Sequence, residues 1–446
     1  MPPPQGVESN AWHLFAIFVF TILGIITKPL PMGAVAFLGL SLTAVLHIVP
    51  FEEAFSGFHN AVVWLIVCAF FVARGFIKTG LGARIAYKVI YYLGRSTLGM
   101  GYGLMVTDLV LAPAIPSVTA RTGGVVYPIV LGLCKVFGSE PHSHPRRIGA
   151  YLIQTIYQGA MVSSAMFLTA MAGNPLIVDL AEAQGITITW GSWALAALVP
   201  GLVSLLVIPF FLFKLFPPEL KKTENAKEFA GKQLLAMGRM TKEEWIMLFS
   251  FLLLLSLWVA GPYISMKATI AVLIGLGILL LTKVLTWKDV LEEKGAWDTM
   301  VWFAALIMLA SYLNKFGLTT WFSQLVVSKV QGMPWLLGFG IISLIYFYSH
   351  YFFASSVAHI GAMYPPFLIL SIALGTPPAL AALVLAFFSS LFGSLTHYGS
   401  GPAPILFGSG YVKIGQWWKL GFWVSAVNIV IWLLFGAAWW KILGLY

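Results

Sequence analysis

Charge is what this chain has least of. Only 9% of its 446 residues are Asp, Glu, Lys or Arg, against 59% hydrophobic ones. A soluble domain so poor in charge would expose wide apolar patches and aggregate, which excludes an ordinary soluble fold. Cysteine is nearly missing too. Cys68 and Cys134 lie in or beside apolar segments without metal or redox spacing, so they read as packing residues and exclude a disulfide or thiolate framework. Acidic residues number 16 against 26 Lys and Arg, a net charge of +10. That balance does not call for nucleic acid, because a membrane protein retains Lys and Arg on its cytoplasmic side. No metalloprotease motif and no Cys/His cluster occurs, so an enzyme has no candidate site. His142-Ser143-His144 stands beside Arg146 and Arg147 with no carboxylate or Cys at ligand spacing, so neither metal nor cofactor is expected. Met1–Asn10 has no basic n-region, which argues against a cleavable signal peptide.

What the chain does have is apolar runs near the length, about 20 residues, that a bilayer crossing needs. Spans are predicted at 11–28, 33–50, 60–78, 148–172, 189–214, 245–262, 267–286, 298–315, 378–398 and 418–441. Two further apolar stretches, 98–137 and 334–374, each carry a polar break in the middle. Non-helical backbone at membrane depth survives only inside protein or against a water-filled cavity, so both are read as re-entrant hairpins. The fold class is an all-α polytopic membrane protein built of two repeats, residues 1–216 and 245–446. The segment 217–244 reads as a solvated cytoplasmic connector.

Lys and Arg set the orientation. Arg74, Lys78, Arg84, Lys88 and Arg95, then Arg146 and Arg147, then the lysines of 217–244 fall on one face, the cytoplasmic one, if the first hairpin returns to the side it entered. The loop at 51–59, with Glu52 and Glu53 and no Lys or Arg, then lies outside, and the two hairpins enter from opposite faces. Ten spans leave both termini outside, which raises the expectation of a further helix ahead of this start.

The repeat is visible in the residues. Pro116-Ser117-Val118-Thr119-Ala120-Arg121, followed by Tyr127-Pro128, matches Ala354-Ser355-Ser356-Val357-Ala358-His359, followed by Tyr364-Pro365. The offset of 238 from Ser117 to Ser355 also relates Val63-Trp64 to Val301-Trp302. A second pair of breaks corresponds as well, Gly173-Asn174-Pro175 and Tyr398-Gly399-Ser400-Gly401-Pro402. Paired interruptions at corresponding places of two halves point to the binding site of a secondary transporter. Asn174 and Gly401 suit N-caps, and Pro175 and Pro402 suit first helical positions. Each helix N-terminus carries about half a positive charge, so four facing one cavity sum to about +2 and suit a dianion. Hydroxyls of Ser117, Thr119, Ser355, Ser356, Thr396 and Ser400 add donors for carboxylate oxygens. Arg121 and His359 occupy equivalent positions. Arg121 is expected to hold a fixed positive charge near the anion, the other reading being an ion pair with Asp108. His359 and His397 are read as substrate donors or pH-responsive groups, or else as packed histidines of a helix interface. A channel remains the alternative from another class, and it would conduct rather than saturate.

These residues resemble the signature of the divalent anion/sodium symporter family, in its citrate/tartrate and 2-oxoglutarate/malate translocator branch. Pro116–Arg121 with Gly123-Gly124 and Tyr127-Pro128 carries the resemblance, and Leu395–Ile405 with Phe407-Gly408-Ser409-Gly410-Tyr411 is the most specific part. Ala11–Ala16 and Lys28-Pro29-Leu30-Pro31-Met32 fit the same branch. The resemblance implies a homodimer in the bacterial inner membrane, with a scaffold and a mobile transport domain working as an elevator. It implies dicarboxylate binding at Ser117, Val118, Thr119, Asn174, Ser355, Ser356, Val357, Thr396 and Gly401, to which the residue reading adds His397 and Ser400. One departure matters. The family tip reads Ser-Asn-Thr, whereas Val118 stands in place of the Asn and the second tip reads Ser355-Ser356-Val357. Valine supplies no oxygen ligand, and hard cations need several. The expectation is therefore sodium-independent exchange of 2-oxoglutarate, malate, succinate or fumarate, with Arg121 and His359 compensating for the missing cation. The alternative is a sodium- or proton-coupled di- or tricarboxylate symporter.

Overall fold

In a computed structural model of the chain, the residues described are 2–4, 6–318, 320–322, 324 and 334–446. Among them the fold is helical, with one isolated antiparallel bridge between Ser96 and Lys222. Among the described residues, eight helices are long and apolar enough to cross a bilayer, and four shorter apolar helices accompany them.

The first apolar group comprises α1 (Ser9–Thr27), α2 (Met32–Val45) and α3 (Ala61–Thr79). They pack with α11 (Lys242–Ala260), α12 (Ala268–Leu281) and α13 (Lys294–Lys315) from the second half. Local chemistry sets several starts. The Asn60 side chain accepts from the Val62 amide at 2.7 Å, and Thr241 with Glu244 closes a capping box on α11.

The second group holds both predicted hairpins. In the first, α5 (Thr97–Leu111) runs to a break, and the chain returns through wide π turns at Thr119–Val126 into α6 (Tyr127–Val136). In the second, α14 (Trp335–Tyr348) and α15 (Ser356–Ala373) flank the tip. Between them stand α7 (Gly149–Met166), α8 (Gly173–Glu182), α9 (Trp190–Leu215), α16 (Pro378–Leu391) and α17 (Ile414–Ile431). Every residue of α7 is buried, so this helix is the axis of the group.

Two expectations change. Segment 217–244 is largely exposed, yet it is more than a solvated connector. It contains α10 (Asn225–Met237), which packs on the amphipathic α4 (Leu81–Leu93) through the buried Ala226 and Ala230. Buried Arg84 holds it there, donating to Glu244 at 2.6 and 3.0 Å and to the carbonyls of Gly238 at 2.8 Å and Met237 at 3.2 Å. A cation on the carbonyl end of a helix is the favourable arrangement. The first helix break is also earlier than the Gly173-Asn174-Pro175 motif. The helix stops at Met166 because Phe167 and Met171 are extended, and α8 is already under way at Gly173.

Candidate functional site

Both hairpin tips and both helix breaks meet at one cavity of about 760 Å³. Ser117, Val118 and Thr119 line it from the first tip, Ser355, Ser356 and Val357 from the second, and Ser400 and Gly401 from the second break. Met171 and Ala172 represent the first break. The opposite wall comes from the other helix group, with Phe70, Trp302, Asp298 and the α1–α2 turn at Lys28–Met32. A smaller cavity of about 290 Å³ is walled mainly by apolar groups such as Trp12, Phe15 and Pro366, and lacks hydroxyls suited to an anion.

The exposed α1–α2 turn on the cavity wall lies at the end of the molecule bearing the basic residues. Asp298 sits against the Gly33 backbone at the start of α2, so the α1–α2 turn and the start of α13 share one end. Lys78, at the last turn of α3, pairs with Asp289 just ahead of α13 at 2.6 Å, which places it at that end too. This is the end that the Lys and Arg bias of the sequence assigned to the cytoplasm.

The backbone at the tips presents unpaired donors. Ser355 caps α15 by accepting from the Ala358 amide at 3.3 Å, and Ser117 accepts from the Ala120 amide at 3.2 Å. The amides just before those remain for a ligand. Three of the four helix starts belong to runs of ten residues or more. The fourth, Ala403–Gly408, has six and contributes a weaker field.

Three residues expected at the site do not line the cavity. Asn174 is buried, and it is not an N-cap. Its amide donates to the carbonyls of Ser164 at 2.8 Å and Phe167 at 3.0 Å while its oxygen accepts from Ser390 at 3.2 Å, tying both sides of the first break to α16. Thr396 is buried, with its carbonyl 2.8 Å from the Tyr157 hydroxyl, which also lies 2.5 Å from the Gly393 carbonyl. His397 accepts from the Trp418 indole at 3.0 Å, in an aromatic cluster with Phe407 and Tyr398.

Arg121 and His359 stand behind the tips rather than in the cavity. The expectation of an unpaired positive charge at Arg121 is corrected. It is fully buried and paired with Asp108 at 3.0 Å, because no buried cation is tolerated without a partner. Asp108 also accepts from Thr122 at 3.3 Å and from Ser163. The guanidinium then reaches the carbonyls of Ile115, at the first tip, at 2.8 Å and Ala170, at the first break, at 2.9 Å. In the other half, His359 meets His350 through their Nδ1 atoms at 3.0 Å. His350 Nε2 is 2.8 Å from the Gly399 carbonyl, which only accepts, so His350 carries its proton there. Each half thus ties its hairpin to its helix break through a basic side chain.

Sequence reasoning missed His350, Lys28, Asp298 and Phe70 as site neighbours. His350 follows no pattern shared with the first half, and Asp298 and Phe70 lie in ordinary span sequence. Lys28 alone left a signal, a basic residue in a Lys-Pro-Leu-Pro turn at a span end.

A cavity enclosed by two hairpin tips and two helix breaks within a polytopic helical protein is the architecture of a secondary transporter. The chain belongs to the family described as the sodium:sulfate symporter transmembrane region, whose model matches residues 1–446. It is 54% identical over its whole length to YflS of Bacillus subtilis (strain 168), whose name provisionally assigns it to malate transport, and covers 94% of that protein. It is 52% identical over its whole length to dicarboxylate transporter 1 of Spinacia oleracea chloroplasts, covering 79% of it, and 37% identical over 99% of its length to the inner membrane protein YbhI of Escherichia coli (strain K12), covering 94%. Two solved transporters share the fold. MtrF of Neisseria gonorrhoeae superposes with a TM-score of 0.62 at 12% identity over 98% of this chain and 96% of that one. YdaH of Alcanivorax borkumensis gives 0.63 at 11% over 96% and 98%. The protein is a transporter and not an enzyme.

Proposed function

We propose that this protein exchanges dicarboxylates such as malate, 2-oxoglutarate, succinate and fumarate across the membrane, without sodium. The observation that carries the reading is the convergence of both hairpin tips and both breaks on one cavity. Helix starts there supply about one and a half to two positive charges' worth of dipole, a match for two carboxylates. Ser117, Thr119, Ser355, Ser356 and Ser400 orient the oxygens. Relatives named for malate and dicarboxylate transport, 44–54% identical to the chain, support the same substrate class.

Sodium independence rests on what holds the tips. A bound cation would bridge tip and break by drawing their carbonyls together, and here Arg121 occupies those of Ile115 and Ala170 while His350 occupies that of Gly399. The bridge is permanent but neutral, since Arg121 is paired with Asp108, and the positive field that the empty site keeps is that of its helix starts, which opposes crossing the bilayer without an anion. That favours exchange over net uptake. The helix groups α1–α3 with α11–α13 and α5–α9 with α14–α17 are the proposed scaffold and transport units of an elevator. The two halves are the proposed inverted repeats, and a homodimer in the bacterial inner membrane is the proposed assembly.

Counterflow in proteoliposomes tests this. Labelled malate is expected to enter only liposomes preloaded with unlabelled dicarboxylate, at the same rate in sodium and in choline. Uptake into empty liposomes that demands a sodium gradient would overturn the exchanger reading and leave the coupled symporter. Thr119→Ala removes one hydroxyl from the cavity wall and is expected to raise the half-saturating malate concentration about tenfold to a hundredfold, the worth of a hydrogen bond to a charged group. An unchanged constant would take the first tip out of the site.

A further inference from the structure

We infer that Lys28, on the wall opposite the tips, receives the incoming anion at the cavity mouth and in doing so releases the second tip. This rests on the dicarboxylate reading above. Among the described residues lining the cavity, Lys28 is the one cation and Asp298 the one acid. Asp298 faces the Gly33 backbone at the positive end of α2, so its charge is engaged there. Lys28 forms no ion pair among the described residues. Its Nζ instead lies 3.5 Å from the Ala354 carbonyl, in the residue just ahead of the N-cap Ser355 of α15. This is a contact at the limit of hydrogen bonding, made by an exposed ammonium to a neutral acceptor.

The base of the side chain is rigid although its end is free. Lys28 adopts a left-handed φ of 53°, its amide donates to the Gly24 carbonyl at 3.0 Å, and Pro29 and Pro31 fix the turn that follows. The ammonium therefore sweeps a limited arc at the mouth, within reach of the tip. A carboxylate is a charged acceptor and adds to an ammonium a Coulomb attraction that a neutral carbonyl lacks. An arriving dianion thus draws Lys28 off Ala354. The one link from that side chain to the hairpin is lost as the substrate settles on the tip amides. Capture of substrate and loss of this contact with the hairpin become one event.

The test compares Lys28→Gln, Lys28→Arg and wild type in malate counterflow at low and high ionic strength. Gln keeps an unbranched side chain on the same backbone, so the fold is not at issue. Lys28→Gln is expected to raise the half-saturating malate concentration about fivefold with less effect on the maximal rate, and to flatten its rise with salt. Lys28→Arg is expected to retain most of the wild-type affinity and its salt response. Lys28→Cys gives an independent reading, since Cys68 and Cys134 are buried. Aminoethyl methanethiosulfonate should restore affinity by returning a positive charge, and the sulfonatoethyl reagent should worsen it. Gln and Arg variants with equal constants, or reagents of opposite charge acting alike, would overturn the assignment. Wild-type protein that fails to exchange malate would instead sink the dicarboxylate reading, and the role of Lys28 with it.

Discussion

Arg121→Ala is expected to lower malate exchange by about a hundredfold or more and to lower the thermal midpoint of the detergent-solubilised protein. The side chain is fully buried and its donors serve four partners, Asp108, Ile115, Ala170 and Ser164. Truncation leaves Asp108 charged and uncompensated in the interior, which costs about 3–5 kcal/mol. It also frees the Ile115 and Ala170 carbonyls, so the first tip loses its tie to the first break. Arg121→Lys is expected to be nearly as damaging to exchange, because an ammonium cannot span partners that the planar guanidinium fork reaches together. The pair Arg121→Met with Asp108→Asn separates the two losses. It should recover much of the thermal midpoint by removing both charges, while exchange stays low because the carbonyls remain unbridged. Recovery of exchange in that double variant would show that Arg121 only neutralises Asp108.

The second large effect is expected at Gly401. A Cβ on this residue would overlap the Thr119 hydroxyl, so the second break and the first tip touch where both face the cavity. Gly401→Ala should therefore force Thr119 out of its position and reduce exchange at least tenfold, with little loss of thermal stability since the displaced group borders a cavity. Adding Thr119→Ala should return part of the activity by removing the atom that clashes. Residues in contact show such coupling, whereas distant ones combine additively. Losses that simply multiply in the double variant would mean that tip and break do not meet as described.

Much of the architecture was legible because hydropathy and helix-breaking residues act locally. The ten spans match α1–α3, α7, α9, α11–α13, α16 and the α17 region to within a few residues at most ends, and both hairpins were placed by their polar middles. Helix α4 and the docking of α10 were not read, because charged amphipathic sequence resembles solvated sequence until a partner surface is known. Asn174 shows the same limit at the site. Its propensity favoured an N-cap, but a buried gap between Ser164 and Phe167 offered it better acceptors. For Arg121 the residues left two readings open, a charge beside the anion or a pair with Asp108, and only packing decided for the pair.

The order of apolar runs, the paired interruptions and the bias of Lys and Arg are properties of the chain itself. They determined a helical, polytopic membrane protein, since a bilayer imposes segment length and backbone satisfaction on any sequence. Which residues share the cavity was decided by the tertiary structure. Contacts such as Thr119 with Gly401, His350 with Gly399 and Lys28 with Ala354 join positions far apart in sequence, and no local pattern records the distance between helices.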